Sequence, residues 1–367
     1  MNAPSPTLAD LRIVVCAGAG GVGKTTVSAA VAVGLAASGR RVAAVTIDPA
    51  RRLAEALGLE DLRNQPQLVE ASRLRGSGLL VSGELSAMML DVKRTFDELI
   101  ELLAPDADTA QAILTNPIYQ HLSTAVAGSQ EYTAMAKLFE LAEAGTYDVI
   151  VLDTPPSRSA ANFLDAPERL TALLQSRALT ALLGPTRTAA KAAEVAFAGL
   201  RRITGVGLLE DLTVFFQLIA QLLEGFRKRA VRVEELLREP TTGFLIVTST
   251  DHAPVAEAIR FGRELDRMGM SRAGVIVNRV QPLDASNRPR AATKERLAPR
   301  IGVDLAEKVA CTHAELQTLA RRDRDAIRAL STALPGPGHA SLVDRDSDVR
   351  DLRMLAGLAR ELFDGLV

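Results

Sequence analysis

Tryptophan is absent from this chain of 367 residues, and aromatic residues make up only 4% of it. Aliphatic side chains must therefore fill the interior, and an apolar content of 47% is ample for a sizeable core. Cysteine is almost absent as well, because Cys16 and Cys311 are the only two. Two cysteines exclude a disulfide framework and a zinc site made from paired CxxC motifs. They fit a protein that works in a reducing compartment.

A surplus of charge of one sign is also missing. The chain has 43 lysines and arginines against 44 aspartates and glutamates, which gives a net charge of −1. We therefore expect neither nucleic acid nor an anionic membrane as a partner. No signal peptide is visible, and the apolar run at residues 212–223 is far shorter than the ~20 residues of a membrane-spanning helix. We expect a cytoplasmic protein without stable membrane insertion.

Continuous runs of valine, isoleucine and leucine are separated along the chain by helical patterns. Strands of this kind are covered on both faces, which is typical of a parallel sheet flanked by helices. We predict an α/β fold with a mostly parallel sheet. The predicted strands lie at residues 12–18, 41–48, 84–91, 147–153, 243–249 and 273–279.

Two helical stretches, 92–145 and 166–240, are too long to be simple crossovers between strands. We predict that they form a helical subdomain inserted into the α/β core. That core then consists of residues 8–91, 146–165 and 241–367. Its last part is expected to be helical at 287–334 and 347–365, with a Pro/Gly-rich break at 334–339 between the two.

The run GAGGVGKTT, Gly18 to Thr26, satisfies the pattern G-x-x-x-x-G-K-[ST] between a predicted strand and a predicted helix. Glycines let the backbone approach phosphate oxygens without a Cβ clash, and successive N–H groups form an anion-binding nest. Lys24 is expected to reach the β- and γ-phosphates, and Thr25 to offer its hydroxyl to Mg²⁺. The pattern thus predicts a site for a nucleotide with Mg²⁺. The expected binding residues are Gly20, Gly21, Val22, Gly23, Lys24, Thr25 and Thr26.

Three polar residues at strand ends extend the predicted site. Asp153 ends a hydrophobic strand, as does the acid that holds Mg²⁺ in phosphate-loop proteins, although a turn aspartate would read the same way. Asp48 could orient the attacking water, but Asp-Pro also favours a turn, and the local residues do not decide between the two. Asn278 offers a donor and an acceptor to an adenine edge, although one amide alone is a weak signal.

Together these pieces resemble the ArsA/Get3 family of anion-pump and membrane-protein-targeting ATPases, within the wider class of dimerising ATPases that includes MinD and ParA. The pieces that carry the resemblance are GAGGVGKTT, TIDPARRLAEALG, AGSQEY, DTPPSRSAANFL and VIVNR. The resemblance implies hydrolysis of ATP with Mg²⁺, with Asp48 activating water and Asn278 contacting adenine. It also implies that residues 153–157 couple the γ-phosphate to the helical subdomain. Glu131 would lie near a dimer interface, and residues 342–344 would complete the adenine pocket.

The resemblance implies a role for each of four site residues. The expected catalytic residues are Asp48 and Lys24, and the expected metal-binding residues are Thr25 and Asp153. No metal other than Mg²⁺ is expected, because the cysteine cluster that binds metalloid in the arsenite pump is missing here.

At one position the sequence departs from the family. The family loop begins G-K-G-G, and its lysine reaches across the dimer to the partner's phosphates, whereas this chain has Ala19 there. In a first hypothesis, which we favour, a lysine-bearing paralogue supplies the cation in a heterodimer. In a second, Arg51 or Arg52 replaces the lysine, since arginine binds phosphate through two N–H groups. In a third, the chain is a slow ATPase that acts as a nucleotide-dependent switch.

The resemblance implies that ATP binding and hydrolysis switch a dimer between conformations and act on a client protein or a membrane partner. The predicted helix at 203–226 is apolar all round, which indicates internal packing or a subunit interface. A groove for the apolar helix of a client protein is the alternative. Two rival functions stay open: a positioning ATPase of the ParA/MinD kind, and a weakly hydrolysing regulatory subunit of a heterodimer.

Overall fold

The computed structural model describes residues 7–48, 52–120, 129–154, 206–282, 289–336, 338–345 and 347–366. Within these ranges the chain forms one eight-stranded sheet. Its strands are β1 (Ile13–Ala17), β2 (Arg41–Thr46), β3 (Gln67–Leu68), β4 (Glu84–Met89), β5 (Val149–Asp153), β6 (Thr242–Thr248), β7 (Ser271–Val280) and β8 (His339–Val343). Their spatial order is β3-β4-β2-β5-β1-β6-β7-β8, and only β3 runs antiparallel to its neighbour. The predicted α/β fold with a mostly parallel sheet is confirmed.

Helices cover both faces of this sheet. They are α1 (Lys24–Ala37), α2 (Arg52–Leu57), α3 (Ala71–Gly76), α4 (Val92–Leu103), α5 (Ala107–Thr115), α6 (Ser129–Ala144), α7 (Val206–Arg238), α8 (His252–Met268), α9 (Arg290–Ile301), α10 (Val303–Ala333) and α11 (Leu352–Leu366). Aspartates begin two of them: Asp91 accepts from the backbone N–H of Arg94 before α4, and Asp106 accepts from that of Thr109 before α5. No helix in the described ranges is both long enough and apolar enough to span a membrane.

The central strand β1 shows why the apolar runs are continuous. Ile13 and Val15 belong to an apolar cluster shared with α4 to α8, whereas Val14 and Cys16 belong to a second cluster shared with α1 and α11. Each residue of β1 is therefore buried on one face or the other, which produces three layers, helix, sheet and helix.

All six predicted strands are present, but two strands were missed. β3 has only two residues, too few for a hydrophobic pattern. β8 lies at the opposite edge of the sheet, where the sequence HASLV alternates between buried and exposed side chains. Because the preceding Pro/Gly cluster predicted only a break between helices, the strand that follows it was overlooked.

The proposed division into core and helical subdomain stays a prediction. The described helices α4, α5, α6 and α7 pack against one another and share one apolar cluster with the sheet. Residues 155–205 lie outside the described residues. They include all of the second predicted helical stretch that precedes α7.

Candidate functional site

The predicted site residues meet at the carboxyl edge of the sheet, where ligands of open α/β sheets bind. The loop that follows β1 turns into α1 through glycines with left-handed backbone, with φ of 78° at Gly21 and 92° at Gly23. A Cβ atom on Gly23 would lie 2.3 Å from Nδ2 of Asn278, so a side chain there would collide with that amide. A Cβ atom on Gly21 would meet no atom within 4 Å, so the loop apex is open to a ligand. This loop thus has the shape of a phosphate cradle.

Lys24 is buried at the start of α1, with only 6% of its surface exposed. Its Nζ donates to the carbonyl oxygens of Gly18 and Ala19, both at 2.9 Å, and so lies across the loop. Burial lowers the pKa of Lys24, and the nearby carboxylates of Asp153, Glu257 and Asp48 act in the opposite direction. The ammonium of Lys24 therefore lies near three carboxylates and across the loop in which a phosphate would bind.

Asp153, at the end of β5, is the centre of the polar network. Its Oδ2 accepts from the hydroxyl of Thr25 at 2.7 Å and from that of Thr46 at 2.9 Å. The Thr46 hydroxyl in turn accepts from the backbone N–H of Asp48 at 3.2 Å. The pairing of β2 with β5 places Thr46 opposite Asp153 in the sheet. The network therefore joins the loop, β2 and β5 at one point.

Electrostatics at Asp153 are consistent with a cation site. Burial raises the pKa of Asp153 to about 6, although the hydroxyls of Thr25 and Thr46 and the charge of Lys24 act to lower it. Its Oδ1 is buried and has no hydrogen-bond partner in the described part of the chain. A buried carboxylate oxygen without a partner is costly unless a ligand satisfies it.

The residues present fit Mg²⁺. This ion prefers oxygen ligands and is usually held by one or two protein groups plus phosphates and waters, which suits the Thr25 hydroxyl beside the Asp153 carboxylate. If bound there by Thr25 and Asp153, Mg²⁺ would neutralise phosphate charge. Within the described ranges no group of three or more histidines, cysteines or acids could hold a metal.

Asn278 lies near the end of β7, on the other side of the loop. Its Nδ2 donates to the carbonyl of Val22 at 2.9 Å, and its Oδ1 accepts from the backbone N–H of Arg279 at 3.0 Å. The segment 342–344 continues from β8 beside it, where the N–H of Asp344 donates to the carbonyl of Val280. The structure thus brings Asn278 to the loop, and its contact with adenine stays a prediction.

Other expected residues lie elsewhere or outside the described part. Thr26 belongs to the first turn of α1, and Arg52 is exposed at the start of α2. Arg51, the side chain of Glu131 and residues 155–157 lie outside the described residues, so their predicted roles stay as stated.

Sequence reasoning overlooked three residues of this site. Thr46 stands two positions before Asp48, and its spacing could have suggested a hydroxyl at the strand end. Glu257 lies on α8, where its Oε1 is buried without a hydrogen-bond partner in the described ranges and its charge acts on Lys24. Arg279 follows Asn278 directly. Arg279 belongs to the run VIVNR, but that run indicated only the adenine contact of Asn278. Glu257 belongs to no pattern in the sequence, because only the fold brings it to the loop.

A family model described as anion-transporting ATPase matches residues 11–299 of this chain. The chain belongs to the anion-transporting ATPase family, ArsA. The match includes the loop, β2, β5 and β7, and therefore Lys24, Thr25, Asp48, Asp153 and Asn278, whereas the segment 342–344 lies beyond it. As a member of this family, the chain is an ATP-hydrolysing enzyme.

Curated proteins similar to this family member have related names. A protein named ATPase GET3 from Malassezia globosa is 28% identical over 287 residues, which cover 76% of this chain and 77% of that protein. A putative arsenical pump-driving ATPase 1 from Aquifex aeolicus is 26% identical over 283 residues, covering 74% of this chain and 64% of that protein. An ATPase get3 from Aspergillus terreus is 27% identical over 280 residues, or 75% of each chain. These relatives support an ArsA/Get3-like ATPase.

Proposed function

We propose that this chain binds ATP with Mg²⁺ in the loop after β1 and hydrolyses it to switch a dimer between two conformations in the cytoplasm. The observation that carries the proposal is the network in which Thr25 and Thr46 both donate to Oδ2 of Asp153 while Oδ1 of that carboxylate has no partner in the described residues. One oxygen is fixed, and the other is left for a cation.

The roles of the side chains follow from their places. Lys24 holds the β- and γ-phosphates, since its ammonium already lies across the loop. Thr25 and Asp153 hold Mg²⁺. Asp48, fixed through its backbone N–H to Thr46, orients the water that attacks the γ-phosphate. Asn278 positions adenine from the far side of the loop.

A dimer is supported by the surface of α10. Four of its five exposed large apolar side chains follow one another at intervals of four, seven and three residues, close to helical spacing: Leu305, Val309, Leu316 and Leu319. The fifth, Val303, is the first residue of the helix. Leu319 also lines a cavity against Gly20 and Gly21, so this stripe reaches the loop. Apolar side chains of this kind are typical of a subunit interface. Because Ala19 provides no cation across such an interface, we favour a heterodimer with a lysine-bearing paralogue over a homodimer.

The client of this switch is proposed to be a protein or a membrane partner that binds the helices α4 to α7. In α7 the side chains of Phe215, Leu222 and Phe226 are buried in the core, while Val214 is 47% exposed. The described part of α7 therefore uses most of its large apolar side chains for internal packing, which leaves any client surface to its other face.

Hydrolysis and capture test the proposal. Asp48→Asn should still bind ATP but lose turnover by about 10²-fold or more, because the group that orients water is removed. In a pull-down with ATP and Mg²⁺, this variant should retain its partner chain and cargo for longer than wild type does. Unchanged turnover in Asp48→Asn, together with an unchanged set of captured proteins, would contradict the proposal.

A regulatory subunit is the second candidate, and the observation that favours it is Ala19. Hydrolysis should be measured for this chain alone, for its paralogue alone and for the mixed pair. Asp48→Asn is then introduced into this chain only, and the mixed pair is measured again. The proposal expects the mixed pair to lose turnover. Full turnover by the mixed pair would assign hydrolysis to the paralogue and regulation to this chain.

A further inference from the structure

A cavity of about 240 Å³ opens beside the phosphate-binding loop. The loop apex, the start of α8, the end of β7 and one side of α10 form its walls. Residues that line it include Gly20, Gly21, Asp251, Arg279, Arg322 and Asp323. None of these charged side chains takes part in the hydrogen bonds that join Asp153, Thr25, Thr46 and Asp48.

Three of these four charged residues are paired with one another. The guanidinium of Arg322 lies 3.7 Å from Oδ1 of Asp251 and 3.5 Å from Oδ1 of Asp323. Asp323 is buried, and its Oδ2 accepts from the backbone N–H of Gln281 at 2.9 Å. The guanidinium of Arg279, in contrast, has no hydrogen bond or ion pair with the residues that the structure describes; only its backbone N–H is engaged. Arg279, an exposed residue of the cavity wall, is therefore the one cation among these four residues that is not neutralised within the described part of the chain.

The backbone of Arg279 is also unusual. With φ of 61°, it is the only residue other than glycine in the described ranges that adopts a positive φ. The pairing of β7 with β8 shifts register between Val277 and Val280, which makes room for this conformation. A side chain other than glycine in this region is strained, and such strain is concentrated at functional sites. The conformation keeps Asn278 on the Val22 carbonyl while the next residue enters the cavity wall beside Gly20 and Gly21.

We propose that Arg279 binds the terminal phosphate of a nucleoside triphosphate held by the loop, as a cation additional to the lysine that the favoured paralogue would bring. The inference rests on the proposed function, because it requires a nucleotide in that loop. A guanidinium donates two parallel N–H groups to phosphate oxygens and suits this task better than a single ammonium. The terminal phosphate belongs to the nucleotide of this chain or to that of a facing chain, and the chemistry is the same in both. Arg52, exposed at the start of α2, does not line this cavity.

The test compares triphosphate and diphosphate binding. Calorimetry in Mg²⁺ buffer should give dissociation constants for ADP and for the non-hydrolysable analogue AMP-PNP with wild type, Arg279→Gly, Arg279→Gln and Arg324→Gln. Arg324 is exposed on α10 directly after Asp323 and does not line the cavity, so it serves as the matched control. Both Arg279 variants should bind AMP-PNP about tenfold or more weakly, as expected for a charge-assisted hydrogen bond, with ADP affinity and the control nearly unchanged. Arg279→Gly should also melt at the same temperature as wild type or higher, because glycine adopts this φ without strain.

Other outcomes show which chain's nucleotide Arg279 contacts, and distinguish failure of this inference from failure of the proposed function. A selective loss of AMP-PNP affinity that is present in the monomer assigns the contact to the chain's own nucleotide, and one present only at concentrations that form dimers assigns it to the facing chain. Equal losses for ADP and AMP-PNP, or no loss in either variant, overturn the role of Arg279. If wild type binds neither nucleotide, the proposed function fails as well. If wild type binds both nucleotides and the Arg279 variants bind them as wild type does, the proposed function stands and this inference alone is wrong.

Discussion

Asp153 carries a conflict between stability and function. It is 1% exposed, burial raises its pKa to about 6, and its Oδ1 has no hydrogen-bond partner in the described chain. Without a cation, the protein keeps a poorly compensated negative charge in its interior. Such a cost persists only where the rest of the fold compensates for it, and it is typical of sites that await a ligand.

Asp153→Asn should therefore stabilise the nucleotide-free protein at pH 7 by about 1–3 kcal/mol, at about 1.4 kcal/mol per pK unit. The amide oxygen can still accept from Thr25 and Thr46. A pKa raised above its unfolded value means that protonation favours the folded state, so wild type gains stability as the pH falls through about 6. The advantage of the variant in urea unfolding should accordingly shrink towards pH 4.

The same substitution should abolish Mg²⁺-dependent hydrolysis, because an amide is a poor ligand for the ion. A variant that is less stable than wild type at pH 7, without nucleotide, would show that the carboxylate is well compensated in the empty site.

Among the secondary-structure elements, the apolar patterns predicted the strands inside the sheet but not the two edge strands, β3 and β8. The runs that became β1, β2, β5, β6 and β7 are buried on both faces, so hydrophobicity alone located them. The predicted positions of Lys24, Thr25 and Asp153 followed from a local motif and from strand ends. Glu257 could not be predicted, since it comes to the loop from α8 only after the sheet has formed. The run VIVNR contains Arg279 but does not indicate that this residue lines a cavity beside the loop. The φ of Arg279 depends on a register shift between β7 and β8, which no single segment encodes.

The amino ends of β2 and β5 are tied by an exposed ion pair. Arg41 Nη2 lies 2.7 Å from Oδ1 of Asp148, and the backbone N–H of Arg41 donates to Oδ2 of the same carboxylate at 2.9 Å. These hydrogen bonds lower the pKa of Asp148 to about 2. A lowered pKa contributes stability above the unfolded value of about 4, and this contribution is lost as the pH falls towards 2.

Asp148→Asn should therefore reduce stability at neutral pH, and wild type and variant should converge in thermal melts between about pH 4 and pH 2. Asp108→Asn, at an exposed acid in the first turn of α5, should not reproduce this pH-dependent difference. A difference between Asp148→Asn and wild type that persists unchanged at pH 2 would refute the ion-pair explanation.

Helix α1 follows the phosphate-binding loop and packs against α11 through Gly34. A Cβ atom there would lie 2.2 Å from the ring of Phe363. Gly34→Leu should destabilise the protein by about 1–3 kcal/mol through overpacking. Gly357→Ala is the matched control, because a Cβ atom at this position of α11 would meet no atom within 4 Å. This substitution should stabilise the protein by about 0.4–1 kcal/mol. Urea midpoints that move in the same direction for both variants would contradict this view of the α1–α11 contact.

At the scale of the whole molecule, the exposed apolar stripe on α10 predicts how chains associate. Leu316→Glu should weaken the proposed dimer by tenfold or more in sedimentation velocity, because a charge would be buried in an apolar contact. The melting temperature of the monomer should not change, since Leu316 is 45% exposed. Leu80→Glu, at a side chain that is 94% exposed on a loop, is the control and should leave association intact. Equal association of all three proteins would remove α10 from the interface.

The proposed function requires the loop from Gly18 to Thr25 to enclose a triphosphate, with Lys24 and the Thr25–Asp153 pair turned towards it. The most direct measurement is calorimetric binding of AMP-PNP to wild type and to Lys24→Ala, with Mg²⁺ and with EDTA, after circular dichroism has shown that both are folded. Wild type should bind AMP-PNP in a Mg²⁺-dependent manner, and Lys24→Ala should bind it about tenfold or more weakly. Wild type that fails to bind, or a variant that binds equally well, would contradict the proposed function.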